Sequence, residues 1–264
     1  MRRLFADTTV LITGASGGIG AAFAEQLAPI GARLLLTARH PARLDAVARR
    51  ARAAGASVEV LQLDLTGPGA VTSLMRDLET RGITVDHLIN NAGIGIAGRG
   101  SEVPVEDQLR VVDLNVRAAT ELALRLLPGM VARRRGGVLN VASIGAFQGL
   151  PWLSTYGASK AYVLGWSEAL HVELRGTGVR CTCLCPGPVH TGWFAAAHLA
   201  APPSQLLMQD AADVARAGLR GYVRDRSHVM SGPLARAAAW LTRAAPRAVA
   251  AYLATGFARP RGKR

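Results

Sequence analysis

The chain is almost without lysine. Of its 264 residues 31 are basic, yet only Lys160 and Lys263 are lysines and the rest are arginines. Aromatic residues make up 5%, and no basic stretch is interleaved with them, which argues against a stacking surface for nucleic acid. No apolar run approaches the ~20 residues that a membrane-spanning helix needs. Met1-Arg2-Arg3 leads into Leu4-Phe5-Ala6-Asp7 rather than a long apolar stretch. A secretory leader is therefore not expected, and the expected location is the cytoplasm. The only three cysteines are crowded into Cys181-Thr182-Cys183-Leu184-Cys185. Alternation along a strand puts all three on one face, where neighbours do not easily bridge, so free thiols are expected. They lack a fourth ligand, so no metal site is expected. Acidic residues number only 18, leaving a net charge of +13. That imbalance suits anionic ligands, acidic partners or a membrane surface. The excess of Arg and Ala is equally what a biased genome composition produces.

Half of the residues are hydrophobic, enough for one full α/β core without a metal or disulfide. Strand-like and helix-like segments alternate. Strands are expected at Thr9 to Ile12, Leu34 to Leu36, Val58 to Leu63, Val85 to Ile89, Val138 to Val141 and Val179 to Leu184. Helices are expected over 19–30, 42–54, 69–81, 105–133, 153–175 and 211–225, the first closed by Gly31. Apolar strands alternating with helices predict an α/β fold, a parallel sheet covered on both faces. Ligands bind beyond the carboxyl ends of such strands. Gly14, Asn91, Ser143 and Pro186 all follow strand ends and should gather on one edge.

Tyr156 and Lys160 stand one helical turn apart and project from one face. Ser143 lies at the end of the fifth strand. The one lysine kept in the body of the chain thus follows a tyrosine by one turn. An ammonium is a compact charge that can take part in proton traffic, which suits a phenol acting as general acid or base. Thr13-Gly14-Ala15-Ser16-Gly17-Gly18-Ile19-Gly20 joins the first strand to the first helix. Such glycines let the backbone turn tightly and approach a pyrophosphate resting on the helix N-terminus.

That glycine spacing, with Asn90-Asn91-Ala92-Gly93, Asn115, Ser143, Tyr156, Lys160 and Pro186-Gly187 in order, resembles the short-chain dehydrogenase/reductase family in its compact, single-domain branch. The resemblance covers residues 8–230. It implies a Rossmann-type doubly wound sheet in three α/β/α layers, and an oxidoreductase moving a hydride between nicotinamide and a carbonyl or secondary alcohol. Tyr156 would exchange a proton with the substrate oxygen, and Ser143 would orient that oxygen. Lys160 would bind the ribose hydroxyls and lower the Tyr156 pKa. Asn115 would hold a water linking Lys160 to solvent. Gly14, Ser16, Gly17, Gly18 and Ile19 would cradle the cofactor phosphates. Asp64 would meet the adenine, with Leu65 beside it; Asn91, Ala92 and Gly93 would line the cofactor. Pro186, Gly187 and Val189 would do so from the sixth strand, with Thr191 on the carboxamide or a phosphate. The second strand ends without a carboxylate for a ribose 2′-hydroxyl, and Arg39 offers a fork suited to a 2′-phosphate, which favours NADP(H). Gly17 departs from the pattern, since many NADP-preferring relatives carry a second basic residue there.

Other readings stay open on the sequence alone. The chain could keep the fold as a cofactor sensor or scaffold, although such relatives usually lose the Tyr or Lys. A basic amphipathic tail would also suit a membrane surface, although packing on the domain or another subunit is favoured. The expected division is 1–232 for the cofactor domain and 233–264 for a helical extension. The Gly-Pro-Leu-Ala-Arg run of that extension resembles one bacterial branch similar to 3-oxoacyl reductases. Residues 188–210 read as a lid. Ile144, Phe147, Leu150, Trp152, Trp193 and Phe194 make the substrate region apolar, which implies a hydrophobic or acyl substrate. A homodimer or homotetramer is expected, paired through the two long helices, with Leu122, Leu126, Val163 and Trp166 as outward candidates. Two short helices are expected over 233–258, with Trp240, Tyr252 and Phe257 on a buried side.

Overall fold

The short apolar runs form strands because they are rich in Val, Ile and Leu and are closed by turn-forming residues. The computed structural model describes residues 1–199, 204, 208–233, 235–237 and 246–256. The chain begins α1 (Arg2–Phe5), β1 (Thr9–Thr13), α2 (Gly18–Leu27), β2 (Arg33–Ala38), α3 (Pro41–Ala53) and β3 (Ser57–Gln62). It continues α4 (Ala70–Thr80), β4 (His87–Asn90), α5 (Val105–Val112), a π-helical turn (Asp113–Ala118), α6 (Ala119–Ala132) and β5 (Gly136–Val141). It ends α7 (Ser154–Glu173), β6 (Val179–Cys185), α8 (Trp193–Ala196), α9 (Ala211–Val223), β7 (His228–Met230) and α10 (Arg247–Leu253). The strands make one seven-stranded sheet in the order β3-β2-β1-β4-β5-β6-β7, and every neighbouring pair is parallel. This is the doubly wound α/β/α architecture, with its strand order reversing between β1 and β4.

Besides end shifts of a few residues, three features differ from the sequence expectation. β4 starts at His87 rather than Val85. β7 has only three residues, too few for a periodicity to show. The long helix is interrupted by a π turn at Asp113–Ala118, and apolar spacing carries no signal for one extra residue per turn.

Period-two alternation divides the core between the two faces. Val10, Ile12, Leu34 and Leu36 pack with Phe23, Leu44 and Leu219 from α2, α3 and α9. Leu11, Leu35, Leu88 and Val138 face the other way, onto Leu74, Leu122 and Leu170 from α4, α6 and α7. A buried amide chain ties this second layer to the sheet. Asn90 Nδ2 donates to Asn140 Oδ1 at 3.0 Å and to Ala119 O at 2.9 Å, and Asn140 Nδ2 donates to Ser167 Oγ at 2.9 Å. The cysteines are free and buried, on the sheet face beneath α7. Among the described residues, no helix is long and apolar enough to cross a membrane.

His87 supplies an acid-sensitive joint at the far end of the sheet. Its Nε2 lies 3.1 Å from Leu4 O and its Nδ1 2.7 Å from Tyr222 Oη. The carbonyl can only accept, so Nε2 carries the proton and Nδ1 accepts from the phenol. Burial lowers the His87 pKa from 6.5 to about 4. Between those values the unfolded chain binds more protons than the folded one, so stability is complete above 6.5 and is lost as the pH falls toward 4. The loss expected from this one residue is about 3 kcal/mol. Urea unfolding across that pH range should show a shallower acid slope in His87→Gln than in the wild type; identical slopes would remove His87 as the cause.

Candidate active site

The turn after β1 is built around contacts that leave no room for side chains. Gly14 has φ of 66°, and a Cβ there would lie 2.9 Å from Ala92 Cα. At Gly20 a Cβ would meet Gly14 O at 2.3 Å. Asn91 fixes this turn from the neighbouring strand: its Nδ2 donates to Thr13 O at 2.9 Å and Gly14 O at 3.2 Å. Thr13 Oγ1 accepts from the backbone N–H groups of Asn91 and Ala92, both at 3.0 Å. Opposite, Thr191 is so close to Gly18 that a Cβ there would touch its Cγ2 at 2.9 Å. The backbone cradle over the N-terminus of α2 is therefore a fitted concavity suited to a pyrophosphate.

A cavity of about 1170 Å³ runs from this cradle across the carboxyl ends of β1, β4, β5 and β6. Gly14, Ser16, Gly17, Gly18 and Ile19 line it at the cradle. Asp64, Leu65, Asn91, Ala92 and Gly93 line its middle, and Pro186, Gly187, Val189 and Thr191 the opposite wall. Ser143, Tyr156 and Lys160 stand within it. Arg39 is at its mouth together with His40 and Arg43, neither of which the sequence reading had singled out. Arg43 lies four residues after Arg39, in the first turn of α3. Arg39 and Arg43 form no salt bridge and no hydrogen bond among the described residues, and Thr37 Oγ1 in the same wall is buried without a partner. Asp64 closes on its own turn, its Oδ1 accepting from Thr66 N at 3.0 Å and Thr66 Oγ1 at 2.8 Å. Partial burial works to raise its pKa, but the two Thr66 hydrogen bonds, Arg39 and Arg110 together hold it below the usual carboxylate value.

Tyr156 and Lys160 project from α7 into the cavity floor. Burial pushes the Tyr156 phenol up to about 12, against the opposing effect of its hydrogen bond with Ser143. Ser143 Oγ also accepts from Gly145 N at 3.0 Å, which fixes the hydroxyl at the start of a short 3-10 turn. Lys160 Nζ donates to Val141 O at 2.8 Å and lies 5.8 Å from the Tyr156 ring centroid. Burial brings the ammonium down to about 8, with Cys183 and Cys185 opposing. Burial and the Ser143 hydrogen bond set the phenol's shift, while the ammonium is bonded to Val141 O. Gly93 is required beside it: a Cβ would lie 3.0 Å from Lys160 Nζ.

Asn115 alone of the candidate catalytic and cofactor residues does not line the cavity. It sits in the π turn with both functions of its amide engaged. Oδ1 accepts from Ile94 N at 2.9 Å, and Nδ2 donates to Ile94 O and Ser159 Oγ, each at 2.9 Å. Its side chain thus clamps the 93–95 loop over Lys160.

The substrate end is apolar but differs in detail from the sequence reading. Trp193 packs on Tyr156 with ring centroids 4.9 Å apart, and Gly95 permits this approach, since a Cβ there would meet the indole at 2.6 Å. Ile144, Leu150, Trp193 and Phe194 line the cavity. Phe147 does not: it packs behind the wall with Val163 and Leu164. Trp152 also turns away, and Arg99 stacks over its ring at 4.9 Å. The lid expected at 188–210 is described through Leu199, with Ala197 and Leu199 buried; residues 200–203 and 205–207 lie outside the described residues. In the tail, Ala250 and Ala254 line the cavity. Tyr252 is 77% exposed rather than buried as expected, because the alanines of α10 face inward. Trp240, Leu241, Arg243 and Phe257 lie outside the described residues.

The short chain dehydrogenase family matches residues 8–200. Ketoacyl reductase HetN of Nostoc sp. is 34% identical over 195 residues, covering 74% of this chain and 68% of that one. A short-chain dehydrogenase from Sphingobium yanoikuyae, solved in complex with NADPH, superposes with a TM-score of 0.81 at 35% identity, covering 90% and 92% of the two chains. A family member from Burkholderia phymatum in complex with NAD gives 0.80 at 28% identity, covering 98% of each. The chain belongs to the short-chain dehydrogenase/reductase family and is an oxidoreductase of that family.

Proposed function

We propose that this protein reduces the carbonyl of a hydrophobic ketone or oxoacyl compound with NADPH, or oxidises the matching secondary alcohol. The carrying observation is the convergence of Ser143, Tyr156 and Lys160 in one cavity that joins a phosphate cradle to an apolar chamber. The cofactor, when bound, supplies or accepts the hydride. Ser143 orients the substrate oxygen through its hydroxyl. With its pKa raised to about 12, Tyr156 holds its proton at neutral pH and is ready to give it to a carbonyl oxygen, so the resting state fits reduction. Lys160 offers its ammonium to the ribose hydroxyls. Asn115 keeps the loop over Lys160 in place and holds the water that connects it to solvent. Asp64 meets the adenine. Trp193 and Phe194 exclude water from the reacting oxygen. Residues 1–232 carry this machinery, and the 233–264 extension adds a wall to the substrate end. Oxidation of NADPH against a panel of apolar ketones and oxoacyl esters tests the reading; no consumption with any of them would overturn it.

The choice of NADP rests on Arg39, with Arg43 in the first turn of α3 and no carboxylate at the end of β2. A preference for NADPH over NADH of at least roughly tenfold, ~1.4 kcal/mol, is expected. Arg39→Asp should erase it in titrations of cofactor fluorescence, and equal binding of both cofactors by the wild type would refute it.

A homo-oligomer is also proposed, with corrected contact residues. Leu122, Leu126 and Val163 are buried in the core, and Trp166 packs partly against it. The outward apolar stripe is instead Val105, Leu109 and Val112 on α5, exposed by 65%, 55% and 38%, with Tyr162 on α7 at 42%. Positions four and three apart make one face. Leu109→Glu should reduce the mass seen by light scattering; a wild-type monomer at micromolar concentration would remove the proposal.

A further inference from the structure

The helix α10 is apolar on two sides. Its sequence, Arg-Ala-Val-Ala-Ala-Tyr-Leu over Arg247–Leu253, has no charged side chain after the first residue. Ala250 and, just past the helix, Ala254 are buried and line the cavity. The helix lies beside Gly149, where a Cβ would meet Ala251 Cβ at 3.2 Å. Val249 and Tyr252 stand three apart on the other side. They are exposed by 48% and 77%, and Tyr252 is the most exposed large hydrophobic side chain among the described residues.

A helix that is apolar all round belongs where both sides are covered. The cavity wall uses the inner side of α10; the outer side is open. The other exposed large hydrophobic side chains among the described residues are Met1 and residues of α5, α6 and α7, so this face and the stripe proposed for self-association are on different elements. The sequence around α10 adds charge. Residues 233–264 hold seven cations and not one of the 18 acidic residues. Arg243 and Arg247 precede the exposed pair, and Arg259, Arg261, Lys263 and Arg264 follow it. Cations on both flanks of an apolar face complement an anionic lipid surface. Val249 would enter the acyl boundary, and the Tyr252 ring would sit there with its hydroxyl among the headgroups. Seven residues rise about 10 Å, far short of a span, so the helix would lie in the surface. A second copy of the chain would bring a further +13 charges and the same cationic segment, which repel. Nucleic acid offers the charge but no apolar layer for Val249.

We propose that α10 docks on an anionic lipid surface through Val249 and Tyr252, with the cations of 233–264 on the headgroups. Docking sets one wall of the cavity against the bilayer, where apolar compounds concentrate. It needs no turnover and stands apart from the carbonyl-reducing reading.

Flotation of the full chain tests it, with vesicles of phosphatidylcholine alone or with about 30% phosphatidylglycerol, at about 0.1 M salt where screening acts over ~10 Å. Most of the protein should float with the anionic vesicles and little with the neutral ones, and about 0.5 M salt should release it. Paired Val249→Glu and Tyr252→Glu should lower the fraction bound to anionic vesicles by at least about fivefold, with NADPH affinity and light-scattering mass unchanged. Paired Val249→Ser and Tyr252→Ser removes the apolar contact without adding charge, and serves if glutamate disturbs the packing of α10. Equal flotation with neutral vesicles, no flotation with either, or wild-type flotation by both paired variants would overturn the proposal. A fall in mass accompanying the loss of flotation would assign the face to a second copy and overturn it too. So would retention on immobilised polyglutamate, dependent on Val249 and Tyr252, in the absence of flotation, which would assign the face to an acidic protein. NADPH oxidation is read separately: flotation without turnover of any ketone leaves the docking standing and sinks the carbonyl-reducing reading.

Discussion

Tyr156→Phe is expected to lower turnover by at least about a hundredfold, in keeping with loss of a positioned general acid, and to leave NADPH affinity nearly unchanged. The ring is buried against Trp193, and Phe preserves that packing while removing only the hydroxyl. The phenol holds its proton throughout the neutral range, because burial pushes its pKa up to about 12. Ser143 cannot replace it, since a serine hydroxyl is a weaker acid than a phenol. Single-turnover kinetics together with cofactor titration make the measurement. Retention of more than about a tenth of wild-type activity would take Tyr156 out of proton transfer.

Lys160→Met is expected to be inactive and yet no less stable. The wild-type ammonium has its pKa lowered from 10.5 to about 8 by burial. Between those values the unfolded chain binds more protons, so folding stability rises with pH across that window, and at pH 7 the folded protein carries the whole penalty. An apolar side chain of similar length removes it, a gain of up to about 3 kcal/mol less the bond to Val141 O. Activity should move the other way, by about a hundredfold, because the charge proposed to meet the ribose and support proton traffic is gone. The wild type should also lose carbonyl reduction as the pH rises through about 8, and this limb should be missing from the residual activity of the variant. A destabilised variant, or a wild-type profile flat to pH 9, would count against this account of Lys160.

The residues proposed to carry chemistry were legible because that chemistry dictates their spacing. Tyr156 and Lys160 must share a helix face, the glycines must follow a strand, and Arg39 must end one. What escaped has no local signature. Asn90 and Asn140 read as turn or strand residues, and their pairing across two strands needs the sheet register. Phe147 and Trp152 are equally apolar neighbours of Ile144 and Leu150, and their outward turn depends on the backbone path of a 3-10 segment and on Trp152 taking φ of 68°. For the tail, amphipathic spacing pointed to large side chains, whereas the cavity wall uses the small ones, Ala250 and Ala254.

The π turn at Asp113–Ala118 couples two surfaces that never touch. One added residue rotates everything before it by about 100° relative to an unbroken helix. Without it, the stripe of Val105, Leu109 and Val112 would swing around the helix axis relative to Leu122 and Leu126, whose burial in the core fixes the orientation of α6. The same insertion places the Asn115 amide against Ile94. Catalytic loop and outward stripe therefore share a single phase setting, and a one-residue deletion anywhere in 113–118 would misalign both together, while a deletion in an exposed connecting loop would disturb neither.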